Sequence, residues 1–175
     1  VRRFGPVGGM ERYVWELAHA IADSGVEVHI VCEEICQATE HLNIVVHVLG
    51  NLTAKPRWVA ALRFSYRVSQ WVNLNTDNNF VIHSHERASV HHITTFHAAV
   101  FANIRKKPWS KRISIRIAVW LYLEKRELSK QQVLVVLPNS DPIKEELNQD
   151  YRLFFVLFGI LFVCSLMSHS GTLNN

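Results

Sequence analysis

A chain of 175 residues that is 49% apolar and 19% charged is long enough to bury one domain core but not two, and too apolar to be disordered. Its formal charge of +4 is concentrated, because residues 105–126 hold eight Lys or Arg against one Glu, while the rest of the chain carries eleven basic and fourteen acidic side chains. That distribution argues against a surface that wraps nucleic acid and for a local anionic partner. The three cysteines, Cys32, Cys36 and Cys164, are odd in number and follow no disulfide or Cys-x-x-Cys spacing. They read as reduced thiols of a cytoplasmic protein. No internal repeat is found, and the N-terminus lacks the apolar run of a signal peptide.

In chain order, Gly5-Pro6-Val7-Gly8-Gly9 is a glycine-rich turn that runs directly into a helix. Met10, Val14, Leu17, Ala18 and Ile21 recur on one helical face, and Gly25 supplies the stop. A strand follows over 26–32, with Cys32 expected to be buried. Residues 33–43 are loop-like, and the β-branched run 44–49 is a second strand. After a turn-prone link from Gly50 to Pro56, apolar spacing from Arg57 to Val72 predicts a second helix. Residues 73–79 are a polar break. A short strand is expected over 80–83, one or two helical turns over 87–92, and another strand over 93–96. A basic helix then extends over 110–128, with Ile113, Ile117, Trp120, Leu121 and Leu128 on one face. Val133 to Leu137 is a continuous apolar run, expected to be a strand covered on both sides. Ser140 or Asp141 can cap a last helix, with Pro142 in its first turn. Alternating strands and helices predict an α/β, doubly wound domain with a mostly parallel sheet.

Chemistry is expected where strands end. Gly8 and Gly9 lack Cβ atoms, so a ligand can come close to the backbone. The unpaired N–H groups and positive dipole end of the helix behind them suit a phosphate. His83, His85, His91, His92 and His97 place five imidazoles within fifteen residues. On a strand His83 and His85 would share a face and could ligate zinc. Against this, no cysteine is nearby, no His-Glu-x-x-His pattern occurs, and Glu86 is the only close carboxylate. The expectation is therefore no metal and no cofactor. The remaining readings are partly buried polar histidines or a ligand rim shared by Gly8, Gly9, His85 and His97.

The motif Pro6-x-Gly8-Gly9-x-Glu11, followed by the helix ending near Gly25-Val26-Glu27-Val28-His29-Ile30, resembles the opening of glycosyltransferase family 4. The resemblance continues through His83-Ser84-His85-Glu86-Arg87, Thr94-Thr95-Phe96-His97 and Leu123-Glu124-Lys125-Arg126-Glu127-Leu128 to Pro138-Asn139-Ser140. It covers about residues 2–149. It implies the Rossmann-like, acceptor-side half of a GT-B enzyme that moves a sugar, with retention, from a nucleotide-sugar to a lipid-linked or lipopolysaccharide acceptor. It further implies that Gly8 and Gly9 lie near the donor diphosphate. His97 would stand in the active site beside the donor sugar, with His85, Glu86 and Arg87 on the acceptor or sugar side. Asn139 and Ser140 would mark the junction leading toward the interdomain region, although helix capping explains them equally well. A full first strand before Arg2 and the nucleotide-holding second domain would be missing, so the chain is expected not to catalyse alone.

Two stretches suggest a membrane. In the basic segment 105–126, Trp109, Trp120 and Tyr122 interleave with Lys and Arg, as in helices that lie on anionic membranes; a solvated charged face is the alternative. Residues 1–149 form the expected domain and 150–175 a separate apolar tail, expected to be a C-terminal helix. Residues 153–167 carry no charge and twelve large apolar side chains, each worth ~1.5–3 kcal/mol when buried. As a helix this run is about 22 Å long against a hydrocarbon core of about 30 Å, and residues 151–168 reach marginal spanning length. The tail is expected to be either a membrane anchor or the product of a reading-frame change near residue 150. In the latter case the chain would be a non-functional remnant.

Overall fold

The computed structural model describes residues 1–50, 55–76, 80–97, 99–106, 108–109, 113–129 and 133–151. Strand β1 (Arg3–Phe4) leads through the glycine turn into helix α1 (Gly9–Asp23). Then come β2 (Val28–Cys32), β3 (Glu34–Ile35), β4 (Ile44–Val48) and helix α2 (Arg57–Asn75). Next are β5 (His83–Ser84), β6 (Ile93–Phe96) and a 3-10 turn over Phe101–Lys106. Helix α3 (Ile115–Glu127), β7 (Val135–Pro138) and helix α4 (Asp141–Tyr151) complete the order. Every strand pairing is parallel: β1 with β3, β2 with β4, and β5-β6-β7 in that order. The chain is the doubly wound α/β domain that the alternation of elements predicts.

Side chains of β2 alternate between two helical layers, as the two-residue period of a strand requires. Ile30 and Cys32 pack with Phe4, Ile44 and the inner face of α1, formed by Val14, Ala18 and Ala22. Val31 points the other way, against Phe64, Val68 and Val72 of α2. A third cluster joins Phe96, Val100, Ala102, Leu128 and Leu147 beneath β6 and β7. Gly25 adopts φ +89° directly after α1, a left-handed conformation that suits glycine at a helix end. Behind β2, the buried Glu33 carboxylate is paired with Arg2 at 2.8 Å and with Arg63 of α2 at 3.1 Å, which ties α2 to the sheet.

Several boundaries differ from the expectations. Arg3–Phe4 is itself a strand, too short to show periodicity, held by the Glu33 amide donating to the Arg2 carbonyl at 2.9 Å. No helix forms over 87–92; the segment is an irregular link that buries Ala88 and His91. Helix α3 begins at Ile115, and Ile113 is exposed instead of joining the buried face. The strand near 135 is not covered on both sides. Leu134 is exposed, and all four residues of β7 are only half-buried, because among the described strands β7 sits at the edge of its sheet. Ser110 and Arg112 of the expected basic helix, and the apolar tail from residue 152 onward, lie outside the described residues.

Candidate functional site

The rim is built first from β1 and its turn. Phe4 is fully buried, and Gly5 immediately takes φ +138°. A Cβ on Gly5 would stand 2.8 Å from the Gln37 backbone nitrogen, so both conformation and space demand glycine there. Sequence reasoning singled out Gly8 and Gly9 but missed Gly5. Its signal was its place directly after a buried aromatic that ends a strand. Gly8 is the extended residue before α1, and Gly9 is the first residue of the helix, with nothing within 4 Å of where a Cβ would lie. The Glu11 carboxylate folds back over Gly8, with one oxygen 2.4 Å from the Cβ position, while its other oxygen accepts from Arg3 Nη2 at 2.8 Å.

The second part of the rim comes from β5 and β6. Because His83 pairs with Ile93 and Ser84 with Thr94 in parallel register, the chain leaves both strands on the same side of the sheet, at His85 and His97. His85 Nδ1 and His97 Nε2 share a hydrogen bond of 3.1 Å. The His83 ring lies against His85 with centroids 4.1 Å apart and planes tilted by 36°, and His83 Nε2 meets Thr95 Oγ1 at 2.8 Å. Tyr13, in the second turn of α1, lays its ring 5.7 Å from His85 and 5.4 Å from His97. The helix behind the glycines and the two histidines thus meet through one aromatic ring.

Burial governs the charge of this cluster. It lowers the His83 pKa to about 4 and that of His85 to about 2, and neighbouring imidazoles push both further down. His97 is also lowered by burial, against an opposing pull from the Glu11 carboxylate. Near neutral pH the cluster is therefore a set of uncharged imidazoles, each able to donate and accept one hydrogen bond.

The other two histidines serve the fold. His91 is buried, and its Nε2 donates to the Glu127 carbonyl at 3.0 Å; His92 Nδ1 accepts from the Ile82 amide at 3.1 Å. Among the described residues, no group of three or more His, Cys, Asp or Glu side chains is arranged to hold a metal ion.

Glu86 and Arg87 leave the rim in different directions. Burial raises the Glu86 carboxyl, and the nearby Arg2 draws it back. Arg87 turns inward: its Nη1 lies 2.9 Å from Glu124 and 3.5 Å from Glu127, and its guanidinium sits over the rings of Phe96 and Trp120. Glu124 is fully buried and also accepts from the Phe101 amide at 2.5 Å, the Ala102 amide at 2.8 Å and the Tyr151 hydroxyl at 2.8 Å. Glu127 accepts from Thr94 Oγ1 at 2.8 Å, and burial raises its pKa to about 7 despite Arg87. Sequence reasoning missed this pair of carboxylates beneath the rim. The available signal was their spacing of three between Leu123 and Leu128, which puts both on the inward face of α3.

The outward side of this region carries Trp109, Ile113, Ile115 and Tyr122, all exposed. Arg126 rests over the Tyr122 ring and donates to Ser65 Oγ. No helix among the described residues is long and apolar enough to cross a membrane. At the end of β7, the Asn139 amide donates to the Phe96 carbonyl at 3.3 Å, which brings this junction beside His97.

Residues 7–154 match the sequence profile described as Glycosyltransferase Family 4. No curated protein sequence matches the chain. Among solved structures the fold is similar to the crystal structure of WaaG, a glycosyltransferase involved in lipopolysaccharide biosynthesis, with a TM-score of 0.74 at 10% identity. The likeness covers 88% of this chain and 41% of that one, so the chain spans less than half the length of the protein it resembles.

Proposed function

The chain belongs to glycosyltransferase family 4, and from that premise we propose that it supplies the acceptor-side half of an enzyme that moves a sugar from a nucleotide-sugar donor to a lipid-linked or lipopolysaccharide acceptor. The transfer breaks the bond between the anomeric carbon and a diphosphate oxygen and forms one to an acceptor hydroxyl oxygen, whose proton passes to the departing diphosphate. Amides of Gly8 and Gly9 at the start of α1 would stabilise the departing diphosphate. Neutral His97 would hydrogen-bond hydroxyls of the donor sugar. His85, Glu86 and Arg87 belong to the acceptor side, with Arg87 acting from beneath through its ion pairs. The nucleotide would be held mainly by a second domain that these residues do not form.

The observation that carries this reading is the meeting of three separate segments: Tyr13, in the second turn of the helix begun by Gly9, touches the rings of both His85 and His97. The similarity to a structure whose title names lipopolysaccharide biosynthesis supports the acceptor class. The exposed Trp109, Ile113, Ile115 and Tyr122, set among basic residues of segment 105–126, support docking on the anionic cytoplasmic face of a membrane. The tail at 151–168 is a second means of attachment.

Vesicles of anionic lipid carrying lipopolysaccharide test the proposal. The chain should cosediment with them, and adding a panel of nucleotide-sugars should give no sugar transfer. Failure to bind the vesicles sinks the acceptor assignment. Turnover that disappears in His97→Ala would show that the chain is more than half of a catalyst.

A further inference from the structure

The ring of His85 has little surface left for a ligand. It is 9% exposed, with the tilted His83 ring 4.1 Å away and the Tyr13 ring against it. Its one hydrogen bond among the described residues runs from Nδ1 to Nε2 of His97 at 3.1 Å. That bond uses the Nε2 atom of His97. No described residue forms a hydrogen bond with Nδ1 of His97.

We propose that His85 is a positioning residue: its Nδ1 holds His97 Nε2, fixes the tautomer and rotation of the His97 ring, and leaves His97 Nδ1 as the atom presented to a sugar hydroxyl. The assignment of that hydroxyl rests on the glycosyltransferase reading; the fixing of the ring does not. In a neutral imidazole, the role taken by one nitrogen dictates the role of the other. A proton shared between His85 and His97 therefore decides whether the rim-facing Nδ1 is donor or acceptor. Two neutral rings can hold this relation steadily, because neither takes up a second proton that would turn both His97 nitrogens into donors. Burial keeps both rings in that neutral form. The His83 and Tyr13 rings packed against His85 keep its ring from turning away.

Imidazole nitrogen NMR on the ligand-free full chain separates this role from a simple contribution to folding. In the parent, the two His97 ring nitrogens should show the well-separated shifts of a single tautomer. In His85→Phe the packed ring survives but the nitrogen is gone, so the His97 shifts should move toward the average of two tautomers. In His85→Asn the side-chain amide occupies the place of Nδ1, and the parent pattern should return. Unchanged His97 shifts in His85→Phe overturn the proposal and leave the site reading intact. A changed pattern that His85→Asn does not restore also overturns it, because the loss then reflects general disturbance. Conversely, a single His97 tautomer whose shifts do not respond to millimolar nucleotide-sugar leaves the positioning role standing and sinks the site reading.

Discussion

Two polar clusters lie on either side of the segment that ends at His97, and they differ in how their hydrogen bonds are spent. On the rim, His83, His85 and His97 are partnered by one another, by Thr95 and by Tyr13. Beneath it, Glu124 and Glu127 engage Arg87, two backbone amides, Thr94 and Tyr151. The lower cluster places two buried carboxyl groups against Arg87 and nearly saturates their hydrogen-bonding capacity, as a scaffold must when it buries polar groups. The upper one keeps neutral rings with nitrogens to spare. Saturation fits a structural role for the lower cluster, and spare capacity is what the proposed ligand rim requires.

The largest expected effect comes from breaking the lower cluster. Replacing Glu124 with Ala leaves Arg87 with a weaker partner and strands the Phe101 and Ala102 amides, which should cost about 3–5 kcal/mol or prevent folding. Urea unfolding measures this, and a loss under about 1 kcal/mol would mean that the carboxylate is not buried as described. His85→Phe, which touches only the rim, should cost much less.

Opposite pH limbs sharpen the contrast. Glu127 has a folded pKa of about 7 against an ordinary 4.5, so the folded state holds a proton that the unfolded chain releases. Stability is full below about pH 4.5 and falls as pH rises through 7, by about 3 kcal/mol in all. The histidines act the other way. With His83 lowered to about 4 from 6.5, its share of stability is full above pH 6.5 and is lost as pH falls toward 4. Glu127→Gln should remove the fall between about pH 4.5 and 7 and be neutral or stabilising at pH 8, while His83→Phe should remove the opposing loss between about pH 6.5 and 4. If each variant left its own limb unchanged, the two clusters would not be the source of the pH dependence.

How far each cluster was legible follows from whether its partners are local. Met10, Val14 and Ala18 announce α1 by their spacing, and Gly8 and Gly9 by composition, so one half of the rim was readable. His85 and His97 were marked by standing after strands, yet His91 and His92, of the same residue type and in the same run, proved to serve the fold. Residue type did not separate them; the parallel register of β5 and β6 did. Glu124 and Glu127 sit in a charged helix that reads as solvated. Their spacing of three between Leu123 and Leu128 points them to the inward face, but the donors that make their burial tolerable, Arg87, Phe101, Ala102 and Tyr151, lie far along the chain. β1 escaped notice because two residues carry no period.

Smaller effects separate glycines that hold the turn from those that open it. Gly5→Ala places a side chain at φ +138° and 2.8 Å from Gln37 N, and should cost ~1–3 kcal/mol. Gly9→Ala meets open space at the first helical position, and should change stability by less than about 1 kcal/mol. Thermal melts of the two variants check this, and equal losses would deny that Gly9 lies on an open face.

A map of amide and imidazole shifts on adding millimolar nucleotide-sugar to the isolated chain tests the central claim most directly. The account predicts that Gly8, Gly9, Tyr13, His85 and His97 respond together, while His91 and the Phe101 and Ala102 amides held by Glu124 stay still. Responses confined to the lower cluster, or a response of His97 without the glycines, would contradict a shared ligand rim.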